Sequence, residues 1–122
     1  MKNIKILIAE DEVIIGQYIK IELELMGYDV CSYVLSGENA ILKAKEDKPD
    51  LILMDINLSG EMDGIDAAKE IISFRNIPVI FCTAYGEKEL MERAEIINPL
   101  AYLRKPIDIT EIKAVIDEYF GD

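Results

Sequence analysis

Four places in this 122-residue chain carry side chains suited to chemistry on a charged group. Glu10-Asp11-Glu12 follows the apolar run Ile4-Lys5-Ile6-Leu7-Ile8-Ala9. Asp55 closes Leu51-Ile52-Leu53-Met54, Thr83 closes Val79-Ile80-Phe81-Cys82, and Lys105-Pro106 comes just after Ala101-Tyr102-Leu103. Carboxylates held a few ångströms apart repel, so one of them takes up a proton unless a cation joins them. Magnesium suits such a cluster: it takes oxygen ligands, keeps several waters and needs few protein carboxylates beside a phosphate oxygen. A hydroxyl and an ammonium next to the cluster complete a place for a phosphoryl group. The cations neutralise its charge and Thr83 donates a hydrogen bond to its oxygen.

Each residue also has a plainer reading. Asp11 or Glu12 can favour the first turn of a helix. A single threonine often satisfies its hydroxyl on nearby backbone, a single lysine is usually solvated, and Tyr102 reads as a half-buried strand aromatic. Asp55 resists such a reading, because it ends the most apolar run and an unpaired carboxylate there is costly. The joint placement of these groups on successive strand ends argues for a site.

The elements that must position them are legible from punctuation. The runs 4–9, 51–54 and 79–82 lack alternation, as strands buried on both faces do. Tyr28–Val34 mixes polar and apolar residues and reads as an edge strand. Between the runs the period becomes helical. Ile14, Tyr18, Ile21 and Leu25 form one stripe, stopped by Gly27. Ser36 caps a helix through Ala40, Ile41 and Ala44 that ends before Pro49. Further stripes are Ile65, Ala68 and Ile72; Leu90, Met91, Ala94 and Ile97, stopped near Pro99; and Ile109, Ile112, Ile116 and Tyr119, ended by Gly121. Five strand–helix repeats predict an α/β, flavodoxin-like (βα)5 three-layer sandwich with a parallel sheet in the order 2-1-3-4-5. That order makes strands 1 and 3 neighbours, and ligands bind outside their carboxyl ends. Glu10, Asp11 and Asp55 then converge.

Composition narrows the function. Thirteen basic against 24 acidic residues leave a formal charge of -11. Such a domain is not expected to grip nucleic acid or an anionic membrane, and it suits cations. Histidine is absent, and Cys31 and Cys82 lack metal-ligand spacing. Zinc sites and histidine-based triads are thereby excluded. Met1-Lys2-Asn3 leads straight into the first apolar run, with no signal peptide and no apolar stretch near ~18 residues. The expectation is one soluble, cytoplasmic domain over residues 1–122, with reduced thiols.

Taken together, Ile6–Glu12, Asp50–Asp55, Met62-Asp63-Gly64, Pro78–Ala84 and Tyr102–Pro106 resemble the receiver domain of two-component response regulators over essentially the whole chain. The resemblance implies that Asp55 is the phosphoacceptor. It implies that Glu10 and Asp11 are the acidic pair, with Asp11 a direct Mg²⁺ ligand and Glu10 acting through water. The backbone carbonyl of Asn57 completes the protein's share of the metal shell. Thr83 is the switch hydroxyl, Lys105 the phosphoryl-binding lysine, and Tyr102 the aromatic that changes rotamer. The implied partners are a sensor histidine kinase or histidine phosphotransfer protein and a downstream protein target. The output surface is the face of helix 4, strand 5 and helix 5, and slow hydrolysis of the aspartyl-phosphate resets the switch. With no appended DNA-binding segment expected, the chain reads as a stand-alone regulator, a phosphorelay intermediate or a receiver cut from a larger protein.

Two departures stand out. The acidic pair is Glu-Asp where the family usually has Asp-Asp. The loop Ile56–Gly64 is one residue longer than usual and lacks the proline common four residues after the acceptor. Two other readings differ in class. A haloacid-dehalogenase-like phosphohydrolase also uses a strand-end aspartate with magnesium, but it wants Asp-x-Asp, and the second position here is Asn57. A non-phosphorylated interaction module, such as a flavodoxin-like carrier or a pseudo-receiver, fits less well. No phosphate-binding loop follows strand 1, and Asp55, Thr83 and Lys105 are all present.

Overall fold

Strands dense in isoleucine, leucine and valine can be buried on both faces only if helices cover both sides of the sheet. The computed structural model, which describes residues 3–84 and 88–121, has that arrangement; Met1 and Lys2, read as leading into the first strand, lie outside the described residues. The elements run β1 (Lys5–Ala9), α1 (Val13–Leu25), β2 (Asp29–Val34), α2 (Gly37–Asp47), β3 (Leu51–Asp55), α3 (Gly64–Phe74), β4 (Val79–Thr83), α4 (Lys88–Glu95), β5 (Ala101–Arg104) and α5 (Ile109–Phe120). The strands pair in parallel in the order β2-β1-β3-β4-β5. β2 is an edge strand, as its mixed composition predicts.

Strand periodicity divides the core. Leu7, Ile52, Met54, Val79 and Phe81 pack with α2, α3 and Ala94 of α4. Ile6, Ile8, Leu51, Leu53 and Ile80 pack on the other face with Ile19 and Leu23 of α1 and Ile109, Ile112 and Ile116 of α5. Side chains that alternate along each strand thus fill two separate layers. Helix starts follow the polar signals. Ser36, Asp63 and Asp108 each accept a backbone N–H from their helix's first turn. Lys48, at φ 50°, ends α2 ahead of Pro49.

One predicted stripe is inverted. Ile14, Tyr18, Ile21 and Leu25 face solvent, with Ile14 86% and Leu25 77% exposed. α1 is instead buried through Gly16, Ile19 and Leu23. The helix is apolar on more than one side, so two sets of residues share the same spacing. Gly16 decides between them. A Cβ at this position would fall 2.3 Å from the Tyr33 hydroxyl of β2, so only the glycine side can lie against that ring. Tyr119 and Met91, placed on the α5 and α4 stripes, are also exposed.

Candidate functional site

The β1–β3 pairing runs Ile6 to Leu51 through Ala9 to Met54, so the next residues, Glu10 and Asp55, emerge side by side at the carboxyl edge. Backbone bonds fix both tips: Glu10 N–H donates to the Val34 carbonyl at 3.0 Å and Ile56 N–H to Cys82 at 2.9 Å. Lys105 N–H donates to the Thr83 carbonyl at 2.8 Å, which ties the end of β5 to the end of β4. The Lys105–Pro106 bond that follows is cis.

Glu10, Asp11 and Asp55 offer carboxylate oxygens within 4.8 Å of one another. The Lys105 ammonium enters the cluster, 2.9 Å from Glu10 Oε1, 3.2 Å from Glu12 Oε1 and 3.3 Å from Asp55 Oδ2. Asp55 Oδ1 accepts the Asn57 N–H at 3.0 Å, and Glu10 Oε2 accepts the Glu12 N–H at 3.0 Å. Asp11 accepts from Ser59. Thr83, fully buried, donates its hydroxyl to Asn57 Oδ1 at 3.1 Å.

Burial sets the electrostatics. Glu10 is 2% exposed. Desolvation raises its carboxyl to about 7, with Asp55 adding to the rise, against the opposing pull of the Glu12 amide and Lys105. Burial alone would depress Lys105, but Glu10, Asp55 and Glu12 more than offset it and hold the ammonium above its ordinary value. Cys82, opposite Asp55 in the sheet, is pushed up to about 12 by burial and the neighbouring carboxylates, so its thiol stays protonated. Among the described residues the cluster is therefore rich in carboxylates, with Lys105 the cation in contact with it. Its oxygen-only donor set and its partly uncompensated carboxylates fit a hard divalent cation.

Tyr102 is half-buried. It lies opposite Phe81 on β5 and lines an open groove of about 310 Å³ with Met91, Glu95, Asn98, Pro99 and Ala101.

Three features of the site were not read from the sequence. Tyr33 lies against Gly16 and donates its hydroxyl to the Glu10 carbonyl at 3.0 Å, steadying the turn that carries the acidic pair. Ser59 bonds Asp11 across the longer loop. Arg93 of α4 forks onto Asp63 at 2.9 and 3.3 Å and reaches Asp66 at 3.1 Å. Gly16 was a usable signal for the first. Loop conformation and helix placement decide the other two.

A parallel (βα)5 sheet with a strand-end carboxylate cluster, a hydroxyl and a lysine defines a class of phosphoryl-accepting switch domains. Residues 6–117 match the model of the response regulator receiver domain, and the chain belongs to that family. It is 38% identical over 113 residues to the transcriptional regulatory protein PdtaR of Mycobacterium tuberculosis, covering 93% of this chain and 55% of PdtaR. The chain thus spans about half the length of that relative. It is 33% identical to sporulation initiation phosphotransferase F of Bacillus subtilis, covering 98% of this chain and 95% of that protein. Among solved structures, the receiver domain of a modulated diguanylate cyclase from Desulfovibrio desulfuricans G20 superposes with a TM-score of 0.90 at 34% identity, covering 96% of this chain and 93% of the other. The role of this family is that of a phosphorylation-dependent signalling switch in two-component systems. Among the described residues, no helix is long and apolar enough to cross a membrane.

Proposed function

We propose that Asp55 accepts a phosphoryl group from a phosphohistidine on a partner kinase or phosphotransfer protein. A carboxylate oxygen of Asp55 forms the new O–P bond as the N–P bond breaks, and the leaving imidazole recovers its proton from solvent. No general base is needed, since a carboxylate already carries the electron pair. Lys105, within 3.3 Å of Asp55 Oδ2, is placed to hold the transferred oxygens. That contact, inside a carboxylate cluster spanning 4.8 Å, is the observation that carries the reading.

Mg²⁺ fits this donor set: Asp11, Asp55 and the Asn57 carbonyl would hold it, and Glu10 would act through water. When bound, it supplies charge neutralisation for the carboxylates and the phosphoryl oxygens. The chain's own part is positioning: Asn57 N–H orients Asp55, and Tyr33 and the Glu12 amide hold Glu10.

The donor has to reach the carboxyl edge of β1 and β3. α1 starts there, directly after Glu12, and presents Val13, Ile14, Tyr18, Ile21 and Leu25 to solvent. This apolar face, continuous with the site, is where the donor protein docks. Phosphorylation then draws Thr83 to the phosphoryl group. Tyr102 turns, and the face of α4, β5 and α5 changes its preference for a downstream protein. Water slowly hydrolyses the acyl phosphate and resets the switch. We assign this role to one receiver domain over residues 1–122, acting in the cytoplasm. The phosphohydrolase reading is less well supported, because position 57 is an asparagine engaged by Thr83 rather than a free acid.

Intact-mass spectrometry after treatment with acetyl phosphate and Mg²⁺ tests the reading. One added phosphoryl group is expected in the wild type, and none in Asp55→Asn or in EDTA. Multiple turnover of a generic phosphate ester would support the hydrolase instead.

A further inference from the structure

The three carboxylates of the cluster are not held in the same way. Glu10 and Asp55 each have the Lys105 ammonium and a local backbone N–H. Asp11 has neither. Its hydrogen bonds among the described residues come from Ser59 alone: N–H to Oδ2 at 3.0 Å and hydroxyl to Oδ2 at 2.5 Å. Both land on one oxygen, so among the described residues Oδ1 accepts no hydrogen bond and keeps its lone pairs for another ligand.

Ser59 lies 48 residues from Asp11 in sequence, and the fold supplies the placement. The loop between β3 and α3 is anchored by Ile56 and Leu58, both buried. It is closed by Gly64 N–H to the Ile56 carbonyl at 2.9 Å. Gly64 cannot carry a side chain there, since a Cβ would fall 2.1 Å from the Asp55 carbonyl oxygen. Between these anchors Gly60 turns the chain at φ 109°, a conformation that favours glycine. Ser59 precedes that turn and is aimed back at Asp11. A proline at this position, the residue whose absence marked the loop as unusual, would remove the N–H and offer no hydroxyl.

We infer that Ser59 is a positioning residue for Asp11, holding its carboxylate in the orientation that binds the divalent cation. The inference rests on the reading of Asp11 as a metal ligand. Partners that orient a ligating carboxylate raise metal affinity by fixing its rotamer before the ion arrives. Here they also spread the charge of an acid that sits beside two others. The longer loop thus has a structural purpose: it brings two donors to the ligand that lacks a cation.

Calorimetric titration with MgCl₂ tests this, with melting temperatures in EDTA as a check on folding. Ser59→Ala, which keeps the N–H, is expected to weaken Mg²⁺ binding about 10-fold, and Ser59→Pro to weaken it further. Ser59→Thr, which keeps both donors, is expected to bind within about twofold of the wild type. In an Asp11→Asn background, adding Ser59→Ala should cost no further affinity, because the serine acts through that carboxylate. This cycle separates positioning from general destabilisation, even where a single variant melts lower. Equal Mg²⁺ affinity in Ser59→Ala and wild type would overturn the inference while leaving the metal site intact. A wild-type protein that binds no Mg²⁺ would overturn it together with the metal reading beneath it.

Discussion

Thr83 donates its hydroxyl to the side-chain carbonyl of Asn57 at 3.1 Å. By family resemblance these residues have separate duties, one as switch hydroxyl and one as backbone metal ligand. The contact makes them a pair: on the proposed phosphotransfer, Thr83 would give up its bond to Asn57 in order to reach a phosphoryl group on Asp55.

Asn57→Ala removes the acceptor and keeps the backbone carbonyl. Losing one neutral hydrogen bond is worth about 1 kcal/mol, or about fivefold in a two-state equilibrium. The variant is expected to shift towards the switched conformation at a given level of phosphorylation. NMR shifts of Thr83 and Tyr102, titrated with a phosphoryl mimic such as beryllofluoride, check this. An unchanged midpoint would contradict it.

Lys105 is 11% exposed and faces three carboxylates. Breaking a buried ion pair from one side leaves uncompensated charge, so Lys105→Met is expected to lose about 3 kcal/mol in EDTA. The same change removes a cation that repels Mg²⁺. The added stability from millimolar Mg²⁺ is therefore expected to be larger than in the wild type. Urea unfolding with and without Mg²⁺ measures both effects.

Arg93 joins α4 to the start of α3 through Asp63 and Asp66. These groups are partly exposed, so Arg93→Ala is expected to cost only about 0.5–1 kcal/mol at neutral pH. Burial pushes the Asp63 carboxyl up, but Arg93 and the Asp66 amide outweigh it and hold it below its ordinary 3.8. The unfolded chain therefore takes up the proton first. The stabilisation is full above that ordinary value and is lost as the pH falls through the folded one. Unfolding of both proteins at pH 7 and pH 3 should show the gap closing in acid, and a constant gap would contradict the ion pair's role.

The apolar face of α1 gives a prediction that separates docking from chemistry. Ile14→Glu is expected to leave phosphorylation by acetyl phosphate unchanged. It should lower transfer from the protein's histidine phosphodonor by about tenfold, the loss typical of a central interface residue. Equal slowing with both donors would place Ile14 in the chemistry instead.

The sheet order and the convergence of Glu10, Asp11 and Asp55 were legible because dense apolar runs and strand-end acids are local signals. The facing of α1 was not, since its two apolar stripes share one period and only the Gly16–Tyr33 contact chooses between them. The Ser59–Asp11 and Arg93–Asp63 bonds were hidden for another reason. They join residues 48 and 30 positions apart through loop and helix placements that no periodicity encodes.

The central claim is that Asp55 carries the phosphoryl group, and borohydride trapping reaches it directly. Acyl phosphates are reduced to alcohols, so protein treated with acetyl phosphate and Mg²⁺ and then with borohydride should contain homoserine at position 55 after peptide mapping. Homoserine at Asp11, a reduced glutamate at Glu10, or no reduced residue at all would contradict the account.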